Sequence, residues 1–324
     1  EDSGDGFTES ALRLKLGRVL VDQVQQIDEA LAQYRAVYEK EPDNETALRA
    51  LEALYRHTER WKDLLDVYNK KRELTSEPNE RKRILYEIAR LQEGQIGDAA
   101  AAIETHQAVL EDDPADATAL AALDALYAKT KAWDRYAEVL RQRIDLEGDE
   151  ATLVDLKYRL AGTQLDHLDE ERAALDNYRE ILFINGDHEG ARVALEGMLK
   201  KKGLKADAAA ILEGIYEARE DWEKLIAALE ILAASDSQVE RKVSLLRKIA
   251  FVAAERLRAL DRALDAQARA LQEDPSLADS RLELEQLAEQ AGAWDQLIKI
   301  YNEVAGGLSD PELARQYWMR LASI

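Results

Sequence analysis

Four segments of the chain begin with tryptophan and share one pattern of apolar and polar positions: WKDLLDVY at Trp61, WDRYAEVL at Trp133, WEKLIAAL at Trp222 and WDQLIKIY at Trp294. In each, large apolar residues fall at i, i+3, i+4 and i+7, as in Trp61, Leu64, Leu65 and Tyr68. That spacing gathers them on one face of an α-helix and would scatter them across a strand. A second helical pattern precedes the tryptophans. In ALRALEALYRHT and ALAALDALYAKT, Leu48, Leu51 and Tyr55 match Leu120, Leu123 and Tyr127. The turns EPDN, DDPAD, INGD and EDPS carry the stop and start residues expected between helices. No segment sustains alternation at period two, so the pattern predicts an all-α chain.

The pattern repeats. Trp61 and Trp133 are 72 positions apart, as are Trp222 and Trp294, and so are Pro42 and Pro114, with Gly186 a further 72 on. Trp133 to Trp222 is 89, which is 72 plus 17, about the length of one helix. Each period of 72 reads as four helices, which makes the chain a repeat array in which each unit covers its neighbour. Residues 189–205, EGARVALEGMLKKKGLK, are the insertion. They are expected to form an extra helix that breaks the two-helix alternation and bends the array, or divides it into two segments. Residues 1–10 read as a linker-like lead. Near the other end, DPELARQYWMRLASI matches EPNERKRILYEIARL, with Leu321 and Ala322 in the places of Ile88 and Ala89. Asp310 is expected to cap that helix, with Pro311 at its first position. Residues 312–324 therefore read as the first helix of a truncated further repeat. Its face of Tyr317, Trp318 and Leu321 would be left to a following helix or a neighbouring molecule. With no Met at the start and no secretory signal, a segment of a longer chain is the expectation.

At this point the chain resembles the tetratricopeptide repeat (TPR) family, whose 34-residue unit pairs two antiparallel helices. Leu48, Leu51, Tyr55, Leu64 and Tyr68 follow the family's pattern in one repeat, and Ala30, Tyr34 and Pro42 in the one before. Ala102, His106 and Pro114, then Leu120, Leu123 and Tyr127, do so again. The resemblance implies a right-handed α-solenoid of antiparallel helix pairs: about eight TPR-like repeats plus one inserted helix. Repeats 1–5 fall in 11–188 and repeats 6–8 in 206–311, with starts near 11, 45, 83, 117, 155, 206, 244 and 278. In one respect the chain departs from the family. The small residue where paired helices approach is acidic in every second repeat, at Glu52, Asp124, Glu213 and Glu285, while Gly17, Ala89, Ala161 and Ala250 keep it small elsewhere. Those acidic positions should splay their helices or turn toward a Lys or Arg.

Composition narrows the function. Lys+Arg 44 against Asp+Glu 65 gives −21, a field that repels nucleic acid. The basic clusters KKRELTSEPNERKR and LKKKGLK sit among acidic residues and read as solvated faces. No run of 18 apolar residues is present, so no membrane span is expected. With no cysteine there is no disulfide framework or thiolate metal site; a soluble, cytoplasmic chain is favoured without the compartment being set. His57, His106, His167 and His188 never fall at metal-ligand spacing. His106 occupies the slot of Tyr34 and Tyr178, where a packed ring is expected, and His188 reads as solvated. The four helix-starting tryptophans read as core, so Trp133→Ala is expected to cost about 3–5 kcal/mol. No phosphate loop or nucleophile elbow occurs, so neither an enzyme nor a cofactor is expected.

The resemblance also implies a binding surface, the inner groove lined by the first helix of each repeat. Carried onto this sequence it supplies Arg49, Ala50, Ala53, Arg56 and His57 from one repeat, and Ala121, Ala122, Ala125, Ala128 and Lys129 from another. Alanines leave room for a peptide to lie close, and the flanking Arg and Lys suit carboxylates. The Lys/Asn carboxylate clamp of the chaperone-binding members is absent. The expected function is a non-enzymatic scaffold for protein or peptide partners. A self-assembling solenoid segment joined through its last helix is one alternative. Another is a half-a-TPR-like module of an RNA-processing complex acting through protein contacts. A regulatory module beside an enzyme outside this segment also stays open.

Overall fold

The computed structural model of the chain describes residues 3–323, and every regular element among them is helical. The chain divides into two compact units between Asp149 and Glu150. The first unit holds α1 (Ser3–Val19), α2 (Ile27–Lys40), α3 (Glu45–His57), α4 (Trp61–Leu74), α5 (Pro78–Leu91), α6 (Ala99–Asp112), α7 (Ala117–Thr130) and α8 (Trp133–Leu146). The second holds α9 (Glu150–Asp166), α10 (Glu171–Ile184), α11 (Glu189–Met198), α12 (Lys205–Ala218), α13 (Trp222–Ser235), α14 (Val239–Phe251), α15 (Leu260–Glu273), α16 (Ala278–Ala291), α17 (Trp294–Gly307) and α18 (Pro311–Leu321).

The turns repeat as faithfully as the helices. Glu59, Lys131, Glu220 and Gly292 all adopt left-handed backbone (φ 57, 58, 57 and 64), each just ahead of a tryptophan helix. In each case the next residue's N–H reaches back five positions, as Arg60 N does to Tyr55 O (2.9 Å) and Ala132 N to Tyr127 O (3.0 Å). This left-handed C-cap closes one helix and turns the chain straight into its partner. A second series, Gln25, Gly97, Asp169 and Arg258, is also left-handed but closes a wider turn between the intervening helices, the next N–H reaching back six positions, as Asp98 N does to Gln92 O (2.9 Å). The last turns of α1, α5 and α14 widen into five-residue π-helical segments, Leu20–Val24, Gln92–Ile96 and Val252–Arg256. Helix starts are capped by Asn44, Asp98, Asp116, Asp221 and Asp310, each accepting from a backbone N–H.

In the first unit the periodic apolar residues form one core: Tyr34, Leu48, Leu51, Tyr55, Leu64 and Tyr68 are all buried together. In the second unit one core cluster runs from Val154 through Ala191, Leu195 and Met198 of α11 to Ala270, and another from Leu264 to Tyr317.

Several expectations need correction. The lead at 1–10 is helical from Ser3, because Ser10 is buried and its hydroxyl donates to Glu41 (2.5 Å), while Glu9 pairs with Lys40 (2.5 Å) and Arg13 (2.8 Å). Residues 1 and 2 lie outside the described residues. The insertion is a helix only over Glu189–Met198; 199–204 turn, through a lysine run and Gly203, and Lys205 already belongs to α12. It does not divide the chain, since α11 is embedded in the second unit's core and the division falls at Asp149. Helices expected near 83, 155 and 244 start earlier, at Pro78, Glu150 and Val239. The tryptophans are edge residues: Trp61, Trp133 and Trp222 are half-buried and Trp294 is 41% exposed. Truncating Trp133 therefore costs less than a fully buried ring would. His188 is not solvated; its Nδ1 accepts from Ala191 N (3.1 Å) to cap α11, and its ring lies 5.0 Å from that of Tyr158. On α18, Tyr317 is buried edge-on against Tyr301, and the large apolar side chains left exposed are Trp318 and Met319.

Candidate functional site

Seven of the ten residues named for the expected binding surface are exposed. Arg49, Ala53, Arg56 and His57 lie on the open face of α3, and Ala121, Ala125 and Lys129 on that of α7; Ala50, Ala122 and Ala128 flank them half-buried. Between them in the unit sits α5, whose exposed Arg83, Glu87 and Arg90 continue the same stripe at the same helical spacing. Contacts on both sides hold α5 there. Glu87 lies within electrostatic reach of Arg56 and Tyr68 on its α3 side. On its α7 side Lys82 bridges Asp113 (2.8 Å) and Asp116 (2.5 Å). The α5 residues were missed from the sequence because the inner-face positions had been carried over for two repeats only, although the spacing 83, 87, 90 was there to read.

The stripe is basic. Its outward positions carry Arg49, Arg56, Arg83, Arg90 and Lys129 with Glu87 among them, and Glu45, Glu52 and Glu80 lie one turn from three of the arginines. Arg49 pairs with Glu45 (2.7 Å) and Arg83 with Glu80 (2.8 Å), both one turn away on open helix surface. Such exposed pairs are worth a fraction of a kcal/mol and exchange readily for another carboxylate. Arg56 is held more firmly. Its guanidinium donates to Tyr68 Oη and to Glu52 (3.1 Å), and the Tyr68 bond above all keeps it further toward the charged form.

Beneath the stripe, the acidic departures are resolved by pairing. Glu52 takes Lys71 (2.5 Å) and Arg56, Asp124 takes Arg143, Glu213 takes Lys248 (2.8 Å) and Glu285 takes Arg320 (2.8 Å). In the first unit the cation comes from the partner helix, Lys71 of α4 and Arg143 of α8. In the second unit it comes from the next inner helix, Lys248 of α14 and Arg320 of α18. Within the two basic clusters, Lys71 pairs with Glu52, Lys82 with Asp116 and Lys201 with Glu171 (2.5 Å). His106 is buried, with Nε2 2.8 Å from Glu93 Oε1.

Helix pairs, left-handed turns and buried positions thus recur with one period through both units. Each unit is an all-α array of helix pairs. No family model matches it, and no curated protein does. Solved structures similar to it include the TPR domain of P58(IPK), 15% identical over 97% of this chain and 98% of that one, with a TM-score of 0.29. A tetratricopeptide repeat protein from Parabacteroides merdae is 14% identical over 98% and 100%, also at 0.29. YrrB, described as a TPR protein with an unusual peptide-binding site, is 18% identical over 57% and 90%, at 0.32. Likeness of this degree stops at the helix-pair architecture. What this TPR-like chain binds is decided by its own side chains. No described helix is long and apolar enough to cross a membrane.

Proposed function

We propose that this chain is a docking scaffold for other proteins, and that the α3–α5–α7 face holds an acidic segment of a partner. The observation that carries the reading is local charge reversal. A chain of net charge −21 gathers Arg49, Arg56, Arg83, Arg90 and Lys129 on a single stripe around the small side chains Ala53, Ala121 and Ala125, with Glu87 among them and Glu45, Glu52 and Glu80 paired to three of the arginines. Small residues let a partner backbone approach, and arginine forks engage carboxylates with directional, charge-assisted bonds. The surrounding negative field opposes non-specific adhesion of acidic chains, so affinity depends on the stripe itself.

Affinity capture from a lysate of the source cells tests this, comparing the intact chain with Arg49→Ala, Arg56→Ala, Lys129→Ala combined. Partners bearing acidic segments that vanish with the variant support the reading; an unchanged partner set removes it. A second reading, self-association, is favoured by the exposed Trp318 and Met319 on α18. Light scattering across concentration separates the two, because self-association raises the mass with no partner present.

A further inference from the structure

The stripe recurs in the second unit 161 positions on, the interval from Trp61 to Trp222, as the faces of α12, α14 and α16. Its chemistry is inverted there. Ala210, Glu217, Ser244, Phe251 and Gln290 stand at the repeat positions of Arg49, Arg56, Arg83, Arg90 and Lys129, so every cation of the first face is gone. The one cation gained, Lys248 in place of Glu87, is neutralised by Glu213 (2.8 Å) and Glu217 (2.9 Å).

This second face also has depth. Helices α14 and α16 enclose a cleft of about 730 Å³, within the range that buries a peptide side chain or small ligand. Phe251 lines it and is 59% exposed, with Val243, Leu277 and Leu287 forming the rest of its apolar wall. An aromatic ring left that open at the end of a helix, beside an apolar wall, is surface that burial would stabilise. Glu240, Glu255 and Asp274 line the same cleft; of the other charged groups there, Glu283 is paired with Arg247, and Lys248 with Glu213 and Glu217. Glu240 lies in the first turn of α14 and Glu255 in the π-helical segment that continues it, about 20 Å apart along a helical rise.

We infer that the α14–α16 cleft binds a partner segment in which aliphatic residues are flanked by lysine or arginine. The aliphatic side chains pack on Phe251 and Leu287, and the flanking cations meet Glu240 and Glu255. The first unit's basic stripe does not fill such a cleft, because it lacks aliphatic side chains. This inference rests on the docking-scaffold reading and assigns the second unit a partner chemistry opposite to the first.

Fluorescence anisotropy on the intact chain tests it, with a labelled peptide built from Lys-Lys-Leu-Leu repeats as the probe. The expected result is that Phe251→Ala weakens binding about tenfold or more, as loss of an interface anchor does. Glu240→Lys with Glu255→Lys should weaken it as well, and Arg83→Ala with Arg90→Ala should leave it unchanged. Phe251 is exposed, so an unchanged melting curve verifies that the variant is folded. Equal affinity for wild type and Phe251→Ala overturns the inference. So does equal binding of a Lys-Lys-Ala-Ala peptide, which would reduce the attraction to net charge. A Glu-Glu-Leu-Leu peptide reports on the first unit separately, so failure of the acidic-segment reading registers there and leaves this cleft standing.

Discussion

Tyr301 Oη donates a 2.9 Å hydrogen bond to Glu285 Oε1, across 16 positions of chain, and Tyr68 Oη repeats the relation with Glu52 at 3.3 Å. Tyr301 is wholly buried, and burial followed by the carboxylate beside it pushes its phenol well above the ordinary range. Arg320 and this phenol together hold Glu285 below its ordinary value against the opposing effect of burial. A carboxylate at a helix contact is thus tolerated because phenol and guanidinium both face it. Tyr301→Phe should lower stability by about 1–2 kcal/mol, read by chemical denaturation. Tyr68→Phe should cost less, because its bond to Glu52 is longer and Lys71 and Arg56 also satisfy that carboxylate.

Asp124 is 3% exposed and paired with Arg143. Removing only the cation leaves a buried charge with its main partner gone, so Arg143→Met should cost about 3–5 kcal/mol. Replacing both, Asp124→Leu with Arg143→Met, should recover most of that loss, since apolar residues of similar volume satisfy the site. The double variant equalling the single one in urea melts would show that the pair does more than neutralise itself.

Asp116 ties α5 to α7. Burial pushes its carboxyl up, but the bonds from Lys82, Tyr86 Oη and Ala119 N (2.8 Å) outweigh it and bring the value from 3.8 down to about 2. A depressed carboxyl stabilises the fold above its unfolded value, and that contribution is lost as pH falls through the folded one. The contribution is about 2 kcal/mol, fully present above about pH 4 and gone below about pH 2. In Asp116→Asn the acid limb between those values should flatten. Stability at neutral pH should drop by a similar amount, with the cap to Ala119 N retained.

Glu59, Lys131 and Glu220 hold the left-handed conformation that Gly292 holds in the equivalent turn. A side chain costs about 1 kcal/mol there relative to glycine. Lys131→Gly should therefore raise stability by up to about 1 kcal/mol, reduced by glycine's larger entropy in the unfolded chain. A destabilised variant in thermal melts would show that the lysine stem contributes packing.

Much of this was legible in the sequence because helical periodicity and repeat spacing are local signals. The helix starts at Trp61, Trp133, Trp222 and Trp294, the buried Leu48, Leu51 and Tyr55, and the capping Asp310 follow from spacing and turn chemistry. The burial of the tryptophans did not follow, since periodicity assigns a face and not a depth. At the start of a helix the outer half of the indole looks past the neighbouring turn. The division at Asp149 was invisible because the period of 72 runs through it unbroken, while the conspicuous insertion proved to be core. The early helix at Ser3–Ser10 is held by Glu41 and Lys40, tertiary contacts that its Gly- and Asp-rich composition does not announce. The seven expected surface residues all reached the surface. Their counterparts in the second unit came into register only once the insertion had been placed as α11, and Phe251 in the slot of Arg90 became legible with it.

The central proposal is that equivalent faces of the two units take partners of opposite charge. Selection of a random peptide library on the intact chain, on the Arg49→Ala, Arg56→Ala, Lys129→Ala variant and on Phe251→Ala measures this directly. The account predicts two enriched groups, one acidic and lost only with the triple variant, the other aliphatic with flanking Lys or Arg and lost only with Phe251→Ala. A single group indifferent to both variants, or groups lost together, would contradict it.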